Sequence, residues 1–209
     1  MPKFAIPFLL LVCLVGQTTA PEAERRLARD IYKQFVEIKS GYTTGSTTPV
    51  AEAAAARLKA AGFPESDIFV GGAIPTKANL VVRYRGTGAR KPILLLAHTD
   101  VVEAKREDWS MDPFQFIERD GYFYGRGTGD DKAQAAVWIA NLIRYKREGY
   151  TPDRDIIVAL TADEEAAAPI TVSSGCSKTS ASSSTRSSVS TREAGAKSPA
   201  ARRSRTTFR

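Results

Sequence analysis

Histidine is nearly missing from this 209-residue chain, which holds one, His98. No site can therefore draw on a second imidazole from these residues. Cysteine is almost as scarce, with Cys13 near the start and Cys176 in a Ser-rich final segment. Two such cysteines give no disulfide framework. Between residues 21 and 165 their absence also excludes structural zinc sites built on thiolates. Long hydrophobic runs are lacking as well. The run from Phe4 to Val15 falls short of the ~20 residues that cross a bilayer. Lys3 precedes it and small polar residues lead to Ala20, the layout of a secretory signal peptide. Residues 1–20 are expected to direct export, making the protein secreted or periplasmic with no stable membrane insertion after cleavage.

An excess of charge is missing from most of the chain. Of 30 basic and 23 acidic residues, the last 44 hold eight and one, leaving 22 of each in residues 1–165. The net charge of +7 is thus a property of residues 166–209. That segment has 18 Ser or Thr among 44 residues and almost no large apolar side chains. Such a composition cannot bury enough surface to offset chain entropy, so disorder is expected there. A secreted basic protein gripping nucleic acid or an anionic surface through this segment is one reading. The near absence of aromatic stacking groups weighs against it, and no nucleic-acid partner is expected.

The middle of the chain alternates two periodicities. Leu27, Ile31, Phe35 and Ile38 recur at helical spacing between Glu22 and Lys39. A second helix is predicted with Thr48 as its cap, Pro49 in its first turn and Gly62 at its end. "NLVVRYRG", "PILLLAHTD" and "RDIIVALTADEE" read as strands, the second apolar enough to be covered on both faces. "DGYFYGRG" reads as a short strand leaving a turn. "DDKAQAAVWIANLIRYKREG" reads as a helix with Ala136, Ile139, Ala140 and Ile143 on one face. Alternating strands and helices predict an α/β layered domain.

Three polar clusters end or begin these elements: His98 with Asp100, Asp130 with Asp131, and Asp163 with Glu164 and Glu165. Beyond the carboxyl ends of strands is where ligands gather in open α/β sheets. Singly, each cluster also fits a structural histidine, a helix cap and a solvated turn. "GRGTGD" is not a nucleotide loop, because Asp130 stands where a third glycine belongs.

Together, "LLLAHTDVVEA", "WSMDPF", "YFYGRGTGDDKA" and "TADEE" closely resemble the M20 metallopeptidase and amidohydrolase family across roughly residues 25–165. That family includes carboxypeptidase G2, aminoacylases and dipeptidases. The resemblance implies a zinc-exopeptidase-like three-layer sandwich, of which residues 21–165 are the N-terminal part. It also implies two divalent ions, zinc first, with cobalt or manganese as alternatives. By the same resemblance His98, Asp130 and Glu165 are metal ligands, with Asp130 bridging. Asp100 orients His98, Asp131 follows Asp130 across a cis peptide bond, and Glu164 is the general base. The implied reaction is hydrolysis of a small peptide or, alternatively, an N-acyl amino acid.

The family pattern needs more than this sequence supplies: a further acidic ligand, a lid or dimerisation domain, and a final histidine. Homodimers are expected for the full-length parent alone. Read one base out of frame from Ala166, the genetic code permits a Gly-rich turn, an amphipathic helix and an acidic "NEGG". A frameshift at the Glu165–Ala166 boundary is therefore expected, with the chain as written truncated and inactive.

Overall fold

The computed structural model describes residues 20–166. The expected signal segment and almost all of the Ser/Arg-rich segment lie outside the described residues. Helix α1 spans Glu22–Glu37 and α2 spans Thr48–Ala60. Strands β1 (Ile68–Gly71), β2 (Asn79–Tyr84) and β3 (Ile93–His98) follow. A small hairpin of β4 (Ile117–Arg119) and β5 (Tyr122–Tyr124) leads to helix α3 (Lys132–Arg147) and strand β6 (Ile156–Thr161).

Local chemistry sets the helix ends. Pro21 caps α1, and Glu22 and Glu24 sit in its first turn, where the helix dipole favours anions. Thr48, expected as the cap of α2, is its first helical residue, and Thr47 is the cap. The shift arises because both threonine hydroxyls are used against the lead-in to β2. The Thr47 hydroxyl donates to the Ala78 carbonyl at 3.2 Å, and that of Thr48 donates to the Pro75 carbonyl at 2.6 Å. Gly62, with φ of 87°, ends α2 as expected, since a side chain there would be strained.

The main sheet has the order β1-β2-β6-β3. β2 runs antiparallel to β1 and β6, whereas β3 and β6 are parallel and joined through α3. Leu80 faces Leu160 across β2 and β6, and Val82 faces Val158. Those four side chains, with Tyr84 and Ala97, enter one core with Ile31, Phe35, Val50, Leu58, Ile139 and Leu142. Each fully buried aliphatic side chain contributes about 1.5–3 kcal/mol by leaving water.

The opposite face of the sheet has no such cover among the described residues. Leu94 and Leu96 are 51% and 55% exposed. The expectation that β3 is covered on both faces therefore fails here. The α/β class is as expected, and the described residues hold the sheet and one helical layer of the expected three. β3 is also the sheet edge, and side chains from the start of α3 meet its free backbone groups. Gln134 donates to the Leu96 carbonyl at 2.9 Å, and the His98 N–H donates to Asp131 Oδ2 at 3.4 Å.

Register decides where the polar clusters meet. His98 is the β3 partner of Thr161, so residues 162–165 leave the sheet directly beside it.

Candidate metal centre

Two neighbours grip the turn after His98. From β6, the Thr161 carbonyl accepts from the Thr99 N–H at 2.9 Å and from its hydroxyl at 3.1 Å. From the segment leaving α1, the Ser40 carbonyl accepts from the Val101 N–H at 3.2 Å. The Ser40 hydroxyl donates to the Thr99 carbonyl at 2.7 Å. The loop entering α3 closes a third side. Gly127 there has φ of 82°, and a Cβ would stand 2.7 Å from Val101 Cγ1. Glycine is thus required both by backbone conformation and by close approach. The Asp130–Asp131 peptide bond is cis, as the resemblance implied.

These elements bring the predicted residues together. His98 Nδ1 lies 3.1 Å from the Asp100 backbone carbonyl, which can only accept, so Nδ1 carries a proton. Nε2 then points at the acids: Asp130 Oδ1 at 2.8 Å and Glu164 Oε2 at 3.9 Å. One ligand atom each from His98, Glu164 and Glu165 lie within 4.8 Å of one another. Asp163 does not join this group. It is buried, its Oδ1 has no hydrogen-bond partner among the described residues, and burial followed by nearby Asp100 pushes its carboxyl up.

Asp100 faces His98 with both its backbone and its side chain. The closer contact to His98 is its backbone carbonyl, and its Oδ1 stands 3.5 Å from Nδ1. Its Oδ2 accepts from the Glu165 N–H at 2.8 Å. Asp100 therefore ties the histidine turn to the glutamate turn, with no exposed surface of its own. Asp131 caps α3 without a side-chain capping bond, because its carboxylate reaches across to the His98 N–H. Glu164 has 63% of its side chain exposed and Asp130 has 76%, so the site opens to solvent.

The electrostatics describe a nest of acids around one imidazole. Burial opposes a charge on His98, but the carboxylates of Asp100 and Asp130 outweigh it and hold the ring up at about 9. Burial and then the Asp130 carboxylate push Glu165 up. Carboxylates converging on one imidazole nitrogen are a donor set suited to a divalent cation. His98 Nε2, Asp130 and Glu165 are the residues that would hold it, with Glu164 beside them.

Two neighbours of the site were not legible as such in the sequence. Lys132 is fully buried, and burial pushes its amine down to about 7, against the opposing pull of Asp100. A cation in the first helical turn, where the dipole disfavours it, was the available signal. Glu103 accepts from the backbone N–H groups and hydroxyls of Thr43 and Thr44, and so clips the loop after α1. Burial opposes its ionisation, but these four donors prevail and hold the carboxyl at about 2, against an ordinary 4.5. Its contribution to stability is thus complete above the ordinary value and is lost as pH falls from about 4.5 towards 2. Glu103→Gln is expected to unfold at a lower temperature than the parent near neutral pH. The gap should close through that acid window, as read by paired thermal melts. A gap independent of pH counts against the clip.

Residues 94–187 match the model of Peptidase family M20/M25/M40. The match begins within β3 and extends past Glu165, the boundary expected from the sequence. The chain is 45% identical over 89 residues to a succinyl-diaminopimelate desuccinylase of Delftia acidovorans, covering 42% of this chain and 23% of that one. It is 29% identical over 185 residues to the N-fatty-acyl-amino acid synthase/hydrolase PM20D1 of Mus musculus, covering 79% and 37% respectively. Among solved structures, the di-peptidase Dug1p of Saccharomyces cerevisiae shares the fold with a TM-score of 0.58 at 20% identity. That likeness covers 69% of this chain and 33% of the di-peptidase. The chain thus spans well under half the length of these relatives.

Proposed function

We propose, for a chain whose residues 94–187 match the model of Peptidase family M20/M25/M40, metal-dependent hydrolysis of amide bonds at a site of two divalent ions, zinc by preference. The observation that carries this reading is the approach of His98, Glu164 and Glu165 ligand atoms to within 4.8 Å, with Asp130 beside His98. His98, Asp130 and Glu165 would hold these ions, with Asp130 serving both. Bound there, such ions would polarise the amide carbonyl and acidify water. Glu164 takes the proton of the attacking water and delivers it to the leaving amine nitrogen as the carbon–nitrogen bond breaks. Asp100 holds His98 Nδ1–H through its carbonyl and Glu165 through its carboxylate, which keeps both donors aimed at one point.

The substrate class is a small peptide or an N-acyl amino acid. Relatives named as a desuccinylase and a fatty-acyl-amino acid hydrolase favour the acyl branch, and the di-peptidase fold favours the peptide branch. The chain as written is proposed to be inactive, because its single histidine leaves the second ion short of a ligand. Residues 166–209 are proposed to be out of frame, export to run through residues 1–20, and dimerisation to belong to the restored parent. Independent reads of the locus around codon 165 decide the frame, and unchanged reads would overturn it. For the site, titration of the 209-residue chain with Co2+ should give binding that His98→Ala abolishes. Binding indifferent to His98 would sink the assignment.

A further inference from the structure

Lys132 is a buried charged group that the proposed chemistry does not use. It has no exposed surface, and its Nζ donates to the Ile38 carbonyl at 2.8 Å. The stem lies over Gly127, whose missing Cβ would stand 3.1 Å from Lys132 Cδ. Burying an amine against one carbonyl is costly compared with an apolar side chain of the same length. The first helical turn is also the wrong end of a helix for a cation. Its stabilising value alone therefore does not account for it.

Its position in a closed ring of contacts does. Asp131, its chain neighbour, accepts from the His98 N–H. From His98 the turn runs to Thr99 and Val101, which bond to Ser40 through the Ser40 hydroxyl and carbonyl. Ser40 lies two residues after Ile38, whose carbonyl Lys132 holds. Removing the Lys132 amine opens the ring where the start of α3 is held to the exit of α1.

We propose that Lys132 is a positioning residue, which fixes the Asp130–Asp131 corner against the His98 turn by holding the Ile38 carbonyl. The metal arm of its test rests on the function proposed above, and the exchange arm does not. Lys132→Met keeps the stem over Gly127 and removes the hydrogen bond. In the 209-residue chain, hydrogen exchange at the His98 and Val101 amides is expected to quicken by about tenfold or more. Exchange at Val158, in the core of β6, should stay as in the parent, since local opening is separable from global unfolding. Co2+ affinity is expected to fall about 10–100-fold, the usual cost of losing support behind a ligand, with altered absorption bands of the bound ion. Equal acceleration at all three amides marks a merely structural lysine and overturns the proposal, as does no change at His98 and Val101. A parent chain that binds no Co2+ sinks the metal reading and leaves exchange to decide. If Lys132→Met does not fold, Ser40→Ala opens the same ring from its other side. The same local pattern is expected there, and parent-like exchange at His98 and Val101 overturns the proposal.

Discussion

In an enzyme restored to the frame proposed above, Glu164→Gln is expected to lower kcat by about 10²–10⁴-fold, the range for loss of a general base, with metal content at the parent level. Glu165→Gln is expected to lose metal, and to lose activity because of that. Proximity alone does not separate the two, since both side chains approach His98. Their anchoring does. The Glu165 N–H is bonded to Asp100 Oδ2 at 2.8 Å, so its backbone is fixed to the same residue that holds His98. Its carboxyl is pushed up, by burial and then by the Asp130 carboxylate. Glu164 is largely exposed, with its Oε2 3.9 Å from His98 Nε2, free to meet a water at the open mouth. Glutamine keeps shape and polarity at either position but accepts no proton at working pH. Metal analysis beside turnover on a dipeptide and an N-acyl amino acid separates the roles. Equal metal loss in both variants, or full activity in Glu164→Gln, would show the pair assigned the wrong way round.

The parts of this site that could be read from sequence are those fixed by position along an element. His98 ends an aliphatic run and Glu164 and Glu165 follow another, so strand ends located them. α3 was legible because Ala136, Ile139, Ala140 and Ile143 recur at its period and are buried as a stripe. β1 and β4 were missed because four and three residues carry too little alternation to register. Contacts distant in sequence were equally silent. Glu103 meets Thr43 and Thr44 from about sixty residues away, and no local pattern announces that. Asp131 looked like a helix cap because its neighbours make it one, and only β3 packed beside it reveals where its carboxylate goes. For Asp100, sequence position does not show that its carbonyl and its carboxylate go to two different partners. Coverage of β3 was misjudged for a related reason: an apolar run states that a face wants cover, not which segment supplies it.

The 209-residue chain is expected to self-associate through that face, and Leu94→Glu with Leu96→Lys is expected to make it monomeric without unfolding it. The two leucines are 51% and 55% exposed, and they project from the edge strand on the side away from the core. Ile157 and Ala159, their β6 partners in register, lie on the same side and are half-buried. A continuous aliphatic surface on an edge strand invites pairing and stacking with another copy. Because water already meets both side chains, charging them costs little in the folded state, within the ~0.5 kcal/mol usual at surface positions plus up to about 1 kcal/mol of strand preference. The same chemistry on the other face has the opposite result. Leu160 is 1% exposed, and Leu160→Lys would bury an unpaired ammonium in the core, a loss above about 4 kcal/mol that few domains survive. Sedimentation velocity over a range of concentrations, with circular dichroism of each variant, tests both halves. A parent that stays monomeric at high concentration, or a double variant that unfolds as Leu160→Lys does, would show that this face is not the sticky one.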